Sequence, residues 1–492
     1  MGLALALTVL LAAGTPLVDA ARSGDAQAAR ALIEQGADVN LPEPDGTTAL
    51  HWAAHRNDLE LGAALLAAGA DPNAVNDYGA TPMSEAAVSG DAALVAMLLE
   101  AGADAESPNA DGQTALMVVA RTGRVDAARL LISHGADVNT AERWRGQTAL
   151  MWAVAQGHPA MVALLVEHGA DVNARSTINN WQRQVTAEPR AIYRPAGGWT
   201  PLLYAAREGC VDCARILAGA GADLDLADPE GVSPLLLAVL NARYDLAAYL
   251  IGQGADVNAW DWYGRTPLYV AVDLNTIPRG GRPDRPSLDE TTSLDLIALL
   301  LEAGANPDAQ LKLLPPYRNI GNDRGLDRLI GIGTTPLLRA AKALDAPAIR
   351  LLLVHGADPH LANARDITPT MAAAGLESVD ADTRGLYTTT DVQARAIESL
   401  TLLIAAGGDI NAAGGGRGLT PLHEAARWGW NDVVRFLVDQ GADLEARDDR
   451  GMTPVDSAMG RAGGNSRGGQ RIDVHEDTAA LLEELIATRK GV

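Results

Sequence analysis

A tripeptide that reads Thr-Pro-Leu, or a close variant of it, recurs along this 492-residue chain and constrains the fold more than any other feature. Its first residues are Thr15, Thr48, Thr81, Thr114, Thr148, Thr200, Ser233, Thr266, Thr335, Thr368, Thr420 and Thr453. Most steps between them measure 33 residues, and the longest steps contain an inserted stretch. This period predicts one small module that is repeated twelve times and stacks on its neighbours.

The second copy shows the local structure that each module encodes. Thr48 suits the N-cap of a helix, because its hydroxyl can accept a hydrogen bond from an unpaired amide of the first turn. A proline follows in most copies, and proline is favoured at the first helical position. Leu61 and Leu65 share one face of a second helix, which ends at Gly69, a residue that adopts the left-handed conformation of helix C-termini. The sequence therefore predicts two short helices and a turn per module.

The sequence Thr-Pro-Leu-His at 420–423 and Gly-Ala-Asp-Val-Asn at 135–139 resemble the motifs of the ankyrin repeat. The resemblance extends over nearly all of residues 15–492, although only His51 and His423 keep the histidine of the motif. It implies an all-α solenoid of about twelve units, each a helix-turn-helix followed by an outward-pointing β-hairpin. It also implies that partners bind to the hairpin tips and to the first helices.

The domain organisation follows from the repeats, because a stack needs no internal boundary. We expect one continuous repeat domain over residues 15–492. Residues 1–14 contain an apolar run at 3–13 that is too short to span a bilayer and resembles the core of a secretory signal, although no Lys or Arg precedes it. We therefore expect a periplasmic or secreted protein without a transmembrane segment, and a cytoplasmic protein is the alternative.

Charge and aromatic content indicate the class of partner. The chain has 62 Asp and Glu residues against 39 Lys and Arg residues, a net charge of -23, and an acidic surface repels nucleic acid. Nine Trp and nine Tyr accompany a single Phe, and Trp and Tyr are enriched in protein-binding hot spots. These counts favour a protein partner, and we expect the chain to be a monomer.

Insertions interrupt the regular spacing near residues 174–198, 277–292, 311–333, 375–396 and 461–474. The insertions at 174–198 and 311–333 enlarge two hairpins, and both carry more basic than acidic residues on an otherwise acidic chain. They are interpreted as two fingers that clamp an acidic or mixed-charge partner. An equally favoured alternative is that each finger folds back onto the acidic stack as a brace.

Candidate partner-binding residues are the Trp, Tyr and charged residues of the fingers, the hairpin tips and the first helices. They are Trp144, Arg145, Trp181, Trp199, Arg207, Glu208, Trp262, Tyr263, Arg265, Tyr317, Arg427 and Trp428. In contrast, Trp52, Trp152 and Tyr204 lie beside the alanines that each first helix buries, so these three are expected to pack between repeats.

Cys210 and Cys213 are the only cysteines and form a C-x-x-C at the start of a second helix. Three interpretations remain open: inert packing, a local disulfide in an exported protein, and a redox site. A helix N-terminus lowers the pKa of a thiol, but a thioredoxin-like role requires a βαβ unit that the repeats do not provide. The redox site is the least favoured of the three.

The histidines give little support to a metal site. His51 and His55 lie four residues apart, but the glutamate of a zinc-protease motif and a third ligand are missing. His134, His168 and His355 precede the turn glycines, where a helix C-terminus favours them. We predict no metal, no cofactor and a non-enzymatic scaffold. The alternatives are a regulatory or chaperone-like partner of a periplasmic enzyme and, less favoured, a redox or metal-dependent enzyme that uses the cysteine pair.

Overall fold

The computed structural model describes residues 15–180, 196–275, 289–313, 331–375, 390–461 and 474–491. These residues contain helices α1 (Pro16–Ser23), α2 (Ala26–Glu34), α3 (Ala49–His55), α4 (Leu59–Ala67), α5 (Pro82–Ser89), α6 (Ala92–Glu100), α7 (Ala115–Thr122), α8 (Val125–Ser133), α9 (Ala149–Ala155), α10 (Pro159–Glu167), α11 (Pro201–Glu208), α12 (Val211–Gly219), α13 (Pro234–Leu240), α14 (Tyr244–Gly252), α15 (Pro267–Asn275), α16 (Ser293–Glu302), α17 (Pro336–Lys342), α18 (Ala346–Val354), α19 (Pro369–Ala373), α20 (Val392–Ala405), α21 (Pro421–Arg427), α22 (Asn431–Asp439), α23 (Pro454–Ala458) and α24 (Glu476–Lys490). Two helices follow each anchoring Thr or Ser, so the prediction of two helices per repeat is confirmed. The odd-numbered helices are the first helices of the repeats, and the even-numbered ones are the second helices.

The described residues divide into two compact units. Unit 1 extends to Pro229 and contains α1 to α12, and unit 2 begins at Glu230 and contains α13 to α24. Within each unit, a first helix packs against the first helix of the next repeat, and the second helices pack likewise. The prediction of one continuous array over 15–492 stays a prediction.

Small and branched apolar side chains fill the space between successive repeats. In repeat 2, Leu50, Ala53 and Leu65 are completely buried, and equivalent leucines and alanines are buried in the other repeats. Each buried leucine contributes about 2 kcal/mol of hydrophobic stabilisation. One face of each repeat is therefore completed by its neighbour.

The helix signals of the sequence are confirmed. The side chains of Thr81, Thr114 and Ser233 accept hydrogen bonds from the backbone amides of Ser84, Met117 and Leu236, three residues along each helix. Proline is the first residue of nine of the twelve first helices. These features fix where each first helix begins.

The turn after each second helix contains a glycine and links adjacent repeats. Gly69 has φ of +91°, and the glycines at the equivalent positions also have positive φ, as predicted. Asn40 Nδ2 donates to the Gly69 carbonyl at 3.0 Å, and Asn40 Oδ1 accepts from the Asp71 amide at 2.7 Å. The same two bonds, here called the turn ladder, recur at Asn73, Asn139, Asn173, Asn258 and Asn411. The ladder sets the register of one repeat on the next.

The loops that lead to the next first helix differ from the implied β-hairpins. In the described residues, antiparallel pairing in these loops consists of isolated bridges, 141 with 148, 178 with 197 and 414 with 419. Side chains satisfy the loop backbone instead, as where Asp261 Oδ1 accepts from the Tyr263 and Arg265 amides at 3.0 and 2.9 Å. Adjacent loops also bond through their backbones, as from the Arg143 amide to the Asp111 carbonyl at 2.9 Å. Each loop end, here called a tip, is therefore held without a ladder of paired strands.

Residues 1–14, which contain the predicted secretory signal, lie outside the described residues, as do the central parts of all five insertions. No helix in the described part of the chain is both long enough and apolar enough to cross a bilayer.

Candidate functional site

The first helices form a face on which side chains of successive repeats meet in a fixed register. The residue seven positions after the anchor of one repeat contacts the residue four positions after the anchor of the next. Three pairs of repeats show this contact: His55 Nδ1 lies 2.9 Å from Glu85 Oε2, the Arg121 guanidinium 5.2 Å from the Trp152 ring centroid, and Arg339 Nε 2.6 Å from Asp273 Oδ1. The last turn of one first helix thus lies beside the middle of its neighbour. We call these positions +7 and +4.

Repeats 4 to 6 of unit 1 concentrate arginines and aromatic rings at these positions and at the adjacent tips. This Arg–aromatic patch consists of Arg121, Trp144, Arg145, Trp152, Trp199, Tyr204 and Arg207. Four of its members, Trp144, Arg145, Trp199 and Arg207, were predicted from the sequence, as was the adjacent Glu208. Arg121 was not predicted, and Trp152 and Tyr204 were expected only to pack.

Repeat 6 supplies the most closely packed part of the patch. The Trp199 and Tyr204 rings meet edge to face with centroids 5.4 Å apart. The Arg207 guanidinium lies 5.3 Å from the Trp199 centroid and 5.4 Å from the Tyr204 centroid, within the range of cation–π attraction. Arg207 Nε also donates to Glu208 Oε1 at 2.5 Å. Arg207 is therefore held by two rings and a carboxylate.

Repeat 5 links that cluster to the rest of the patch. Gln147 Nε2 donates to the Tyr204 hydroxyl at 2.6 Å, so the buried ring of Tyr204 packs as predicted while its polar end is satisfied. Trp152 is partly exposed and receives the Arg121 guanidinium. Because α7 packs on α9 and α9 packs on α11, the three repeats present one continuous surface.

The tip of repeat 5 carries the most exposed tryptophan of the patch. Trp144 is 75% exposed, and Arg145 lies 5.3 Å from its ring centroid. The Arg145 carbonyl accepts from the Thr177 amide at 2.7 Å, which fixes the tip against the following repeat. A large ring is thus presented to solvent on a loop whose backbone is held in place.

Two arginines of the patch have no carboxylate partner in the part of the chain that the structure describes. Arg121 and Arg145 contact rings, and neither forms an ion pair with any residue that the structure describes. On the same face in repeats 1 to 3, carboxylates are present instead: Glu43 accepts from Arg22 Nη1 at 2.7 Å and from Trp52 Nε1 at 3.2 Å. The first-helix face of unit 1 therefore changes along the chain. In repeats 1 to 3 its cations and rings contact carboxylates, and in repeats 4 to 6 Arg121 and Arg145 contact aromatic rings.

The predicted residues at the tip of repeat 8 have a different environment. Trp262 is exposed, whereas Arg265 pairs with Asp261 at 2.6 Å and Asp261 is only 1% exposed. Trp260, which the sequence reasoning missed, is 51% exposed and has the Lys312 Nζ 2.9 Å from its ring centroid. The Arg265 guanidinium lies 5.3 Å from the Tyr263 ring centroid. Arg265 therefore stabilises its own tip.

Arg427 and Trp428, which were predicted to bind a partner, form contacts inside unit 2. Arg427 Nε bonds to Glu424 Oε2 at 2.6 Å, and Glu424 is 1% exposed. Trp428 stacks on Trp430 with centroids 5.8 Å apart, and its Nε1 donates to the Gly375 carbonyl at 3.0 Å. Both residues thus contribute to packing. The other two predicted residues, Trp181 and Tyr317, lie outside the described residues.

The structure contains the local disulfide, one of the three alternatives for the cysteines. Cys210 and Cys213 are bonded to each other with their Cα atoms 5.3 Å apart. Cys210 is the N-cap of α12, and its Sγ accepts from the Cys213 amide at 3.3 Å. In this state neither sulfur is a thiolate, so neither can act as a nucleophile.

His51 and His55 serve two different structural purposes. His51 Nδ1 accepts from the Thr48 amide at 3.2 Å, and its Nε2 bonds to the Ala80 carbonyl at 3.0 Å. Burial lowers the pKa of His51, which keeps the ring neutral. His55 instead pairs with Glu85 on the first-helix face. The described residues contain no group of three or more side chains suited to hold a metal.

The histidines that precede the turn glycines bond to helix C-termini, as predicted. The Nδ1 atoms of His134, His168 and His355 lie 2.9, 2.8 and 2.9 Å from the carbonyl oxygens four residues earlier. Each ring thus adds a second bond to a carbonyl of the last turn, which also accepts from the backbone amide of the same histidine.

Comparisons with known proteins agree with this architecture. A family model described as "Ankyrin repeats (3 copies)" matches residues 17–109, 84–176 and 220–311, and an "Ankyrin repeat" model matches 197–229 and 417–449. Ankyrin repeat and SOCS box protein 11 of Danio rerio is 34% identical over 123 residues, which are 25% of this chain and 35% of that protein. The chain thus spans about a third of that relative's length.

A solved structure, the crystal structure of the human ASB11 ankyrin repeat domain, has 28% sequence identity and a TM-score of 0.40. The match covers 49% of this chain and 98% of that domain. The three-copy family model by itself matches more than half of the chain. The matches to the two family models show that the chain belongs to the ankyrin repeat family.

Proposed function

We propose that this chain is a non-enzymatic scaffold that binds a partner protein, and that the Arg–aromatic patch is its main recognition surface. Ankyrin repeats are generally protein–protein interaction modules. The observation that carries the proposal is the patch itself. In it, an exposed tryptophan and two arginines that pair with no carboxylate of the described residues lie on tightly packed repeats. Trp, Tyr and Arg are the residues that dominate binding energy in protein interfaces.

The chemistry of the patch supports binding rather than catalysis. Arginine does not lose its proton near neutral pH, and the indole of tryptophan is a hydrogen-bond donor only. Such groups can pack against a partner and donate hydrogen bonds to it, but they exchange no protons with a substrate. The rigid backbone beneath Trp144 reduces the entropy that is lost when a partner binds.

The test is to capture the partner from a native extract, identify it and measure its affinity for variants. We expect Trp144→Ala with Arg145→Ala to weaken binding about 30-fold, because two hot-spot residues are lost. The matched control is Tyr78→Ala with Arg129→Ala, which removes a 70% exposed ring and an exposed arginine of the same unit outside the patch. Equal affinities of the two double variants for the partner would contradict the proposal.

The insertion at 174–198 ends beside the patch, since Trp199 follows it directly. We propose that it acts as a clamp on the partner, with the brace as the alternative. Deletion of 178–194 separates the two: a clamp predicts weaker binding at unchanged stability, and a brace predicts a lower unfolding midpoint. If the deletion changes neither the affinity for the partner nor the unfolding midpoint, both roles are excluded.

A regulatory or chaperone-like role toward a periplasmic enzyme is the second proposal. The observation that favours it is the disulfide between Cys210 and Cys213, because disulfides persist in oxidising compartments. Thiol titration of the protein isolated from its native cells tests the compartment. Two free thiols per chain would place the protein in a reducing environment and would remove this proposal.

A further inference from the structure

We propose that the Arg–aromatic patch binds an acidic segment of the partner, an extended stretch that carries both Asp or Glu residues and apolar or aromatic residues on the side that faces the patch. This inference rests on the proposed function and specifies its ligand. It is carried by three observations on repeats 4 to 6: uncompensated cations, rings beside them, and the register in which both are arranged.

The first observation is that the patch is positively charged although the chain as a whole is negatively charged. The net charge is -23, so a positively charged surface on this molecule is a local exception. Among the described residues, the guanidinium groups of Arg121 and Arg145 contact rings, and a ring contact leaves the net charge of a guanidinium in place. The Glu142 carboxylate at the same tip is buried and accepts from the Trp144 and Arg145 amides. Carboxylates are the protein groups that guanidinium groups bind best, through paired N–H donors. The patch is thus complementary to an acidic segment.

The second observation is the position of the rings. Trp144 is exposed, and Trp152 and Trp199 are partly exposed, so apolar surface lies beside each cation. A segment that carried only carboxylates would leave this surface in contact with water. A segment that also carries leucine, phenylalanine or tyrosine covers it, which adds hydrophobic stabilisation.

The third observation is the register. Arg121 is at +7 of repeat 4, Trp152 at +4 of repeat 5, and Tyr204 and Arg207 at +4 and +7 of repeat 6. The order along the first-helix face is therefore a cation, two rings and a second cation. Helices pack about 8 to 10 Å apart, so repeats 4 to 6 span about 20 Å, the length of about six extended residues. Every second side chain of an extended chain points to the same side, so one segment can place carboxylates at the two arginines and apolar groups on the rings between them.

The charge of the whole chain argues against a nucleic acid as the ligand. The net charge is -23, so a long polyanion that extended beyond repeats 4 to 6 would be repelled. A short acidic segment confined to repeats 4 to 6 avoids this repulsion.

The experiment uses three fluorescein-labelled probes and the full-length chain. The first is a synthetic 12-residue peptide that combines Glu and Asp with Leu, Phe and Tyr so that both kinds of residue lie on each side of the extended chain. The second replaces every Glu and Asp by Gln and Asn, and the third is a 12-nucleotide oligothymidylate. Fluorescence anisotropy should show that the acidic peptide binds at least about ten-fold more tightly than its amide counterpart, and that salt weakens the binding. Equal affinity of the two peptides, or tighter binding of the oligonucleotide, overturns the proposal.

Variants locate the binding on the patch. Arg121→Gln with Arg145→Gln should weaken binding of the acidic peptide about ten-fold. Its control, Arg129→Gln with Arg215→Gln, removes two charges from the exposed sides of α8 and α12 and should change the affinity less than about two-fold. If both pairs have the same effect, the binding is unspecific attraction to positive charge and the assignment to the patch fails.

A substitution at Ala155 adds a test that removes no residue of the patch. Ala155 is at +7 of repeat 5, a position that faces +4 of repeat 6, where Tyr204 and the neighbouring Arg207 lie. Ala155→Glu places a carboxylate of the chain there and should weaken the binding of the acidic peptide about five-fold. Ala155→Gln should leave the affinity unchanged. Identical affinities of the Glu and Gln variants contradict the proposal.

The outcomes separate this inference from the proposed function. If a captured protein depends on Trp144 but is indifferent to the loss of Arg121 and Arg145 charge, the scaffold function holds and the acidic ligand is excluded. If the acidic peptide binds to the patch but no protein is captured by it, the ligand chemistry holds and the scaffold function fails.

Discussion

Two +7 to +4 contacts, one in each unit, differ in their chemistry. In unit 1, Arg121 lies over the ring of Trp152 at 5.2 Å, and in unit 2, Asp273 bonds to Arg339 at 2.6 Å. The helices that carry them start with the same anchoring residue and pack in the same way. Only the second contact neutralises its arginine. Equivalent positions in the two units therefore differ in how much charge remains for a partner.

The same contrast extends to other arginines of the two units. Arg265 and Arg427 of unit 2 pair with Asp261 and Glu424, two carboxylates that are each 1% exposed. A buried carboxylate has lost its contact with water, so its cation is required for stability. In unit 1, Arg121 and Arg145 have rings as their neighbours. An arginine next to an aromatic residue thus indicates a binding surface only where it forms no ion pair with a carboxylate of the chain.

The largest expected effect comes from breaking the charge pair of unit 2. Asp261→Ala removes the partner of Arg265 and the acceptor of two loop amides, so we expect the free energy of unfolding to fall by about 3 kcal/mol. Urea titration followed by far-ultraviolet circular dichroism measures it. Glu398→Gln is the control, because its pair with Arg350 is exposed on both sides and should contribute less than about 1 kcal/mol.

The counterpart in unit 1 is Arg121→Ala. A cation–π contact at an exposed site contributes about 0.5 to 1 kcal/mol, so this substitution should be far less destabilising than Asp261→Ala. If the two substitutions cost the same, the arginines of the two units do not differ in their structural role and the comparison fails.

An intermediate effect is expected from the disulfide of unit 1. Cys210→Ser with Cys213→Ser opens a four-residue loop, and the chain-entropy relation gives a loss of about 2 kcal/mol at most. We expect a lower urea midpoint and an unchanged affinity for the acidic peptide, because the patch residues keep their packing. Loss of peptide binding in a folded double variant would show that the disulfide contributes to the site.

The smallest expected effect is the pH dependence of stability that comes from one buried histidine in each unit. Burial lowers the pKa of His51 and of His423 below the ordinary value of 6.5, so protonation favours the unfolded state. Their contribution to stability is complete above pH 6.5 and decreases as the pH falls below it. The aspartates with lowered pKa, such as Asp91 and Asp456, lose their contribution only below pH 3.8.

The measurement is the urea midpoint at pH 7.5 and at pH 5.0. His51→Gln and His423→Gln should each reduce the difference between the two pH values by a similar amount, because the two rings share the same bonds and burial. A pH dependence that is unaltered in both variants would falsify this account of the buried histidines.

The sequence was sufficient to predict the features that depend on near neighbours. Thr81 caps its helix with a bond that spans three residues, and Gly69 adopts the left-handed conformation because glycine alone does so without strain. Each prediction of this kind required only a few adjacent residues. The two helices of each repeat and the turn after them were predicted for that reason.

The features that were missed depend on residues far apart in the chain. Arg121 and Trp152 are 31 residues apart, and Asp273 and Arg339 are 66 apart because an insertion lies between them. Alignment of the repeats on their anchors would have found both pairs, since their members lie seven and four residues after an anchor. The partner of Arg265 is less predictable, because it depends on the fold of a single loop.

The turn ladder explains how such a chain can gain length without losing its order. Asn173 reaches Gly221 and Asp223, 48 and 50 residues away, whereas Asn139 reaches Gly169 and Asp171 over 30 and 32 residues. Closing the longer segment costs only about 0.4 kcal/mol more, because closure entropy grows with the logarithm of length. Ancestral genes could thus acquire new segments between these asparagines and their distant acceptors at little thermodynamic disadvantage, and selection could then act on what the segments do.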